Sequence, residues 1–353
     1  MHAEHKLEGE MSYFRRNRLR IVMFNVENLF IFLDHHKGQD VTRVTEKEWQ
    51  QLSASTTPNK PLKQVTELAR AVREMNPDIL MLCEVGGIES LSNFSRLFLE
   101  DKYAPYLLEG NSDRGIDIGY LVRRSLPFTY DLISHKHRSI DFLYPHEKLS
   151  KDTGFDHLRS ARITSHKFSR DVLELRIFEQ PGLPVAIFLL VHLKSQLDRS
   201  RIDPQGRDRR KAELEKLVHI YNEIHEEFEG KVPIFLGGDF NGKAGRPEPD
   251  MEFEAIYRET QLRDCLEWAE VPPDEHFTYM QMYSNRPSYN RQLDYLFVPP
   301  EVSSRVNKHD TWVYRFKDEF GMTMILPRNL NEKKMLPSDH YPVILTLDPE
   351  KQD

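Results

Sequence analysis

Val232–Gly245, VPIFLGGDFNGKAG, sets a carboxylate and a carboxamide, Asp239 and Asn241, two residues apart at the mouth of an apolar strand. Ile234, Phe235 and Leu236 form a short continuous apolar run, entered through Pro233 and closed by paired glycines, as expected of a strand buried on both faces. Gly237 and Gly238 free the backbone to turn sharply and to approach a ligand closely. Side chains two apart leave a strand on one face, so Asp239 and Asn241 are expected to point the same way. Such a pair suits an oxygen-seeking cation or a water held against a phosphate, and the same letters also make an ordinary Asx turn.

The pattern of an apolar strand delivering polar groups recurs on both sides of that stretch. Leu19–Phe24 is an apolar run that delivers Asn25-Val26-Glu27-Asn28, with Asn25 and Glu27 on one face. Residues 32–61 have the composition of a long loop. The apolar spacing predicts a helix over Leu62–Met75, stopped at Asn76-Pro77, and then a strand over Asp78–Cys83 that delivers Glu84. A helix feeding a continuously apolar strand is an α/β signature, and a carboxylate at that strand tip must be exposed or paired. Ile88–Leu99 reads as a helix, and Arg114-Gly115-Ile116-Asp117 introduces a strand over Ile118–Val122. Leu158–Ser165 and Asp171–Phe178 are expected to pair antiparallel through a turn at His166–Arg170, where Arg170 can neutralise a phosphate. Val185–Val191 delivers His192, with Lys194 on the same face.

Gln205–Glu229 reads as an amphipathic helix with a basic start, GRDRRK, and a short helix is expected over Phe253–Tyr257. The loop 280–291, MQMYSNRPSYNR, interleaves Tyr283, Arg286, Tyr289 and Arg291, a composition suited to stacking on bases and binding phosphates. Leu293–Val298 carries Asp294 at its start, and Asp339-His340 stands where the chain enters a final strand over Val343–Leu347.

With 353 residues, 39% hydrophobic and 30% charged, the chain has material for one large core, expected over residues 19–348 between a loose arm (1–18) and a tail (349–353). Its net charge of -7 excludes the global positive field of a constitutive nucleic-acid binder, so phosphate affinity must be local or metal-borne. Cys83 and Cys265 are the only cysteines, which excludes a disulfide framework, leaves room for one bridge and favours a reducing compartment. No run of about 18 apolar residues or secretory signal is present, so the expectation is a cytoplasmic protein without a membrane span or an obligate protein partner.

The acidic, amide and imidazole residues come from strand ends, where the loops of a layered sheet can gather them into one site for attack of water on a phosphoester. Asn25, Glu84 and Asp339 can supply oxygen ligands to Mg²⁺ and leave positions for substrate. His340 can act as base or as donor to the phosphate, with Asp294 fixing its tautomer. His192 can donate to a phosphate oxygen, backed by Asp117, while Asp239 and Asn241 orient the attacking water. Nearby carboxylates raise one another's pKa, so Asp239 and Glu84 depend on a cation to stay ionised.

The segments FNVEN, LCEV, RGIDIGYL, SRDVLEL, VHLKS, GGDFN, QLDYLFV and SDHYPV, in that order from Arg20 to Leu347, closely resemble the endonuclease/exonuclease/phosphatase superfamily, which includes deoxyribonuclease I. The resemblance implies a four-layer α/β sandwich, two mostly antiparallel sheets packed face to face with helices outside. It implies a divalent-metal site, with Asn25 and Glu84 at the metal-binding positions and Asp339 matching the acidic residue before the catalytic histidine; the expected cation is Mg²⁺, with Mn²⁺ able to substitute. By it Asp239 and Asn241 match the pair that positions water and phosphate, and Asp294 the partner of the catalytic His340. Asp117, Arg170 and His192 resemble the carboxylate, arginine and second histidine of deoxyribonuclease I-type enzymes, and Lys194 joins Arg170 toward the substrate phosphate. Glu27 departs from the aspartate of abasic-site endonucleases, which leaves its role as a ligand open. The expected activity is a metal-dependent phosphodiesterase, as a nuclease on nucleic acid, or alternatively as a phosphatase or phosphodiesterase on inositol phosphates, phospholipid head groups or nucleotides.

Overall fold

Continuous apolar runs become central strands because they can be covered on both faces, and the computed structural model, which describes residues 12–152, 164–198, 200–285 and 287–351, places them so. In chain order the strands are β1 (Leu19–Leu29), β2 (Ile79–Val85), β3 (Tyr103–Tyr106), β4 (Asp117–Arg123), β5 (Thr129–Ser134), β6 (Val172–Phe178) and β7 (Ala186–His192). They continue with β8 (Ile234–Asp239), β9 (Arg263–Asp264), β10 (Tyr279–Gln281), β11 (Tyr289–Arg291), β12 (Asp294–Val298), β13 (Trp312–Val313) and β14 (Val343–Leu347).

Two six-stranded sheets form, in the orders β13-β14-β1-β2-β4-β3 and β5-β6-β7-β8-β12-β9. Each contains a single parallel pair, β1 with β2 and β7 with β8, and is otherwise antiparallel. A parallel pair needs a crossover, and the crossovers are the helices Leu62–Met75 and Arg207–Glu227. The sheets pack face to face through β1, β2 and β4 against β7, β8 and β12.

Alternation along β7 shows how the layers share one strand. Phe188 and Leu190 enter the core between the sheets, whereas Ile187, Leu189 and Val191 face outward onto Leu214, Leu217 and Val218 of the long helix. Phe188 and Phe235 stack at 4.7 Å in the interlayer. The opposite outer layer is the helix pair Leu62–Met75 and Gly87–Phe98. The expected four-layer α/β sandwich is therefore the observed architecture. No helix among the described residues is long and apolar enough to cross a membrane.

Several expectations change. The partner of β6 is β5, not Leu158–Ser165; residues 158–163 lie outside the described residues, and Ser165 is not in a strand. β5 was hidden because its residues TYDLIS are only half-buried on a sheet edge. Residues 32–61 contain a helix, Glu46–Gln51, with Thr45 and Glu48 in a reciprocal capping box and Trp49 fully buried. The short helix expected over Phe253–Tyr257 spans Glu254–Glu259, and the long one starts at Arg207, after Gly206 with φ 63°. Within the N-terminal arm, residues 1–11 lie outside the described residues, and the helix Tyr13–Arg16 buries Phe14 against Arg305. The tail residues 352 and 353 also lie outside them. Cys83 and Cys265 are both free and buried.

The paired glycines set the contact between neighbouring layers and strands. A Cβ at Gly238 would lie 2.0 Å from the carbonyl oxygen of Val191, which is backbone, while one at Gly237 would meet the movable methyl of Met81 at 3.0 Å. Gly238→Ala is therefore expected to cost about 3 kcal/mol or more and Gly237→Ala about 1 kcal/mol in urea unfolding. Equal losses for the two would contradict this account.

Candidate active site

Strand register builds the first half of the site. In the second sheet β8 lies between β7 and β12, with Asp239 opposite both His192 and Asp294, so three polar side chains stand abreast on adjacent strands. All are buried. Asp239 Oδ1 accepts the Asn241 N–H at 2.9 Å, and Oδ2 accepts Asn25 Nδ2 at 3.0 Å. His192 Nε2 lies 3.5 Å from Asp239 Oδ2. Asp294 Oδ2 is 2.7 Å from His340 Nδ1, while its Oδ1 and His192 Nδ1 have no hydrogen-bond partner among the described residues.

These neighbours set the ionisation. Burial and the Asp294 charge push the Asp239 carboxyl up to about 7. Burial alone would make His340 harder to protonate, but the carboxylates led by Asp294 outweigh it and raise the ring to about 10. His192 is held well below the ordinary histidine range by burial and by Arg170, so it is neutral at pH 7.

The first sheet supplies the other half through two irregular strand ends. Register shifts between Asn25 and Leu29 on β1 and between Cys83 and Val85 beside Glu84 bend the ends of β1 and β2, and Glu27, Asn28 and Glu84 have φ of 47°, 54° and 65°. Glu84 Oε2 accepts the Asn28 N–H at 3.2 Å, and Glu27 Oε2 accepts the Asp339 N–H at 2.9 Å. Burial, Asp339 and Glu84 raise the Glu27 carboxyl. Two lysines lie among these acids: Lys60 Nζ donates to Glu27 O at 2.7 Å, and Lys333 Nζ sits 3.3 Å from Asp339 Oδ2. Ser338 Oγ donates to Asn25 O at 2.7 Å and accepts the His340 N–H at 3.1 Å, which ties the turn before β14 to β1.

No family model and no curated protein matches the sequence. Solved structures do match its fold. Truncated TDP2 from Caenorhabditis elegans is 17% identical with a TM-score of 0.53, covering 94% of this chain and 98% of that one. D. rerio TDP2 complexed with a single-strand DNA product is 13% identical with a TM-score of 0.54, covering 94% and 99%. A mannosyl-6-phosphatase from Bacteroides thetaiotaomicron is 15% identical with a TM-score of 0.50, covering 93% and 98%. The chain has the endonuclease/exonuclease/phosphatase fold. Within this deoxyribonuclease I-like sandwich, the residues above lie where both sheets end on the same side.

The other expected residues flank that centre. Asn241, at φ 52°, donates Nδ2 to Leu193 O at 3.1 Å, so Asp239 and Asn241 make the Asx turn as well as the site. Asp117 does not back His192, whose neighbouring carboxylate is Asp239; its Oδ1 instead accepts the Gly110 N–H at 2.8 Å. The adjacent Asn111 N–H donates to Arg170 O at 2.9 Å, so Asp117 positions the loop that holds Arg170. Arg170 is buried, with Nη1 3.3 Å from Leu193 O. Lys194 Nζ caps Ser195 O and Leu197 O at 3.0 and 2.8 Å. Of the Tyr/Arg loop, Arg286 lies outside the described residues; Tyr283 and Tyr289 meet at 3.2 Å across the β10/β11 hairpin, and Arg291 Nη1 donates to Gln196 at 2.9 Å. The basic helix start is partly structural, since Arg210 is buried against Glu252 at 2.5 Å. Lys60, Lys333 and the Tyr279 ring, 4.9 Å from the His340 ring, went unread because single residues in loops or short strands carry no periodic signal.

Asp239, Asp294 and His340 have ligand atoms within 4.8 Å of one another, but Asp294 Oδ2 is engaged by His340 Nδ1 and the Asp239 oxygens by Asn25 and Asn241. Glu27, Glu84, Asp339 and the Asn25 amide form the more oxygen-rich set. Mg²⁺ or Mn²⁺ at 100 times its Kd is expected to stabilise the protein by about 2.7 kcal/mol. The gain shrinks as pH falls through the raised range of Glu27 and Asp239, because protons then compete with the cation. Calorimetric unfolding with EDTA or Mn²⁺ checks it, and an undiminished shift in Glu84→Gln would remove Glu84 from the cation site.

Proposed function

We propose that this protein is a divalent-metal-dependent phosphoester hydrolase, preferentially a phosphodiesterase acting on nucleic acid, which cleaves by in-line attack of water. The reading is carried by one observation: the His340 ring bonded to Asp294, the His192 ring and the hydrogen-bonded Asp239 carboxylate stand beside an oxygen-rich acidic cluster at the ends of β1 and β2 and the entry to β14. The donor set fits a hard cation, because Glu27, Glu84 and Asp339 bring three carboxylates together, with Lys60, Lys333 and the His340 ring, whose Nε2 is 3.8 Å from Asp339 Oδ1, as the neighbouring cationic groups. Asn25, Glu84 and Asp339 would hold Mg²⁺, with Glu27 beside them. When bound, the metal supplies charge neutralisation to the phosphate oxygens.

The chain's own groups divide the remaining work. His340, cationic at neutral pH and engaged at Nδ1 by Asp294, donates from Nε2 to a phosphate oxygen rather than acting as the base. Asp239 orients the attacking water and takes its proton, since its raised pKa matches a base working near neutrality. Asn25 Nδ2 and the Asn241 N–H fix that carboxylate. Arg170 and neutral His192 line the phosphate position without the repulsion that a second imidazolium would add.

Nucleic acid is favoured as substrate because the exposed Tyr289 and its hairpin partner Tyr283 offer a stacking surface joined to the site through Arg291, Gln196 and Asn241 O. The D. rerio TDP2 structure with single-strand DNA product supports that choice by analogy of fold. A small-phosphoester reading, on inositol phosphates, head groups or nucleotides, is supported by the mannosyl-6-phosphatase of the same fold.

A metal-by-substrate panel tests the proposal, with single-stranded and duplex DNA, RNA, nucleotides and inositol phosphates against Mg²⁺, Mn²⁺ and EDTA. Asp239→Ala and His340→Ala are expected to lower kcat/KM by about 10²–10⁴-fold. Turnover that survives both substitutions, or none on any phosphoester, refutes it. Removing the Asp294 charge deletes what holds His340 protonated, so Asp294→Asn should move the alkaline limb of the pH–rate profile to lower pH. An alkaline limb that stays in place would show that His340 is not the proton donor.

A further inference from the structure

Beside the proposed centre lies a cleft of about 590 Å³ that shares Arg170 with it. Among the described residues its cationic lining is Arg114, Lys167, Arg170, Lys194 and Arg209, against the single carboxylate of Asp113. Glu213 lies beneath, fully buried: its two oxygens accept the Ser169 and Lys194 N–H groups, at 2.8 and 2.7 Å, and its Oε1 also lies 3.5 Å from Arg209 Nε, so Arg209 is anchored by this carboxylate. In a chain whose net charge is -7, a concentration of five cations in one concavity is a local anion trap.

Its placement is continuous with the reaction centre. Arg114 and Arg170 both act electrostatically on His192, and Arg114 Nη2 donates to Asn28 Oδ1 at 2.7 Å, beside Glu84. Lys167 is exposed, and Arg209 Nη2 donates to its carbonyl at 3.1 Å, so these two cations lie together in the wall of the cleft. Among the described residues the lining has no tyrosine or tryptophan, and its one phenylalanine, Phe168, is buried in the core under the long helix. Such a wall suits phosphate and sugar rather than base stacking.

We infer that this cleft is a second phosphate subsite: Arg114, Lys167 and Arg209 hold a further phosphate of the same substrate whose scissile phosphate lies at Asp239 and His340. This rests on the phosphoester reading of the centre and narrows it to substrates with more than one phosphate. A nucleic-acid strand and a small polyphosphate share that chemistry, and base identity is not read in the cleft.

Binding without turnover separates this inference from the proposed activity. With EDTA present, fluorescence anisotropy of a labelled single-stranded 12-mer is measured across a salt series on the full-length protein. Lys167→Gln with Arg209→Gln is expected to weaken binding about tenfold at low salt and to reduce the slope of log K against log salt by about 1.4, the release from two contacts on a single strand. Lys231→Gln with Arg258→Gln removes equal charge from exposed sites at the far ends of β8 and β12 and should change neither quantity. Lys167→Gln alone, on an exposed side chain, carries the test if the double variant unfolds, with about half the slope change. Inositol hexakisphosphate is titrated in parallel. Loss of its binding in the variants, with no 12-mer binding by the native protein, assigns the cleft to a small polyphosphate. Native-like affinity and slope for both ligands in the variants overturns the subsite. Catalytic inactivity on every phosphoester would leave these binding results standing and would reject only the hydrolase reading.

Discussion

Two buried carboxylates on adjacent strands repel each other, and the rest of the site follows from that repulsion. Asp239 and Asp294 are cross-strand partners at strand separation, in a place with almost no water to screen them. Leaving both charged and alone would cost several kcal/mol. The chain meets this with groups from elsewhere: His340 from the turn before β14, Asn25 from the opposite sheet and the Asn241 N–H from the turn after β8. Thr278 reinforces the arrangement, accepting the Asp294 N–H at 3.1 Å and offering its carbonyl to the Tyr341 N–H at 2.7 Å. Repulsion between two side chains thus specifies contacts among segments separated by more than two hundred positions.

How much of this could be read from the letters depended on the kind of signal. Asp239, Asp294, His192, Asn25 and Glu84 were legible because each adjoins a continuous apolar run, and burying such runs side by side leaves their polar ends abreast. The pairing of Asp294 with His340 was likewise a matter of type and position. What failed was local shape. Strands β1 and β2 run on through the polar residues by means of bulges with left-handed Glu27, Asn28 and Glu84, and neither glutamate advertises that conformation. The partner given to Asp117 was wrong because a carboxylate held by a backbone N–H looks, in sequence, like one held by a histidine. The Glu46–Gln51 helix was overlooked although Thr45 and Glu48 have the spacing of a capping box, because the surrounding polar residues resemble a loop.

Charge is segregated within a small volume. Acids gather on the first sheet's side, tempered by Lys60 and Lys333, and guanidinium and ammonium groups gather around Arg170. A field of this kind orients an anionic substrate along one direction even though the molecule as a whole would repel it. Lys333 also joins two functions in one side chain, since its ammonium lies 3.5 Å above the Tyr279 ring that packs on His340.

The close fit of Gly237 against the Met81 methyl has a mechanical meaning. Half of the centre rides on one sheet and half on the other, so the separation between them works like the gap of a pair of calipers set by interlayer thickness. Bulk added anywhere between the layers, even near Phe188 and Phe235, would widen that gap and part Asn25 from Asp239 without altering either residue.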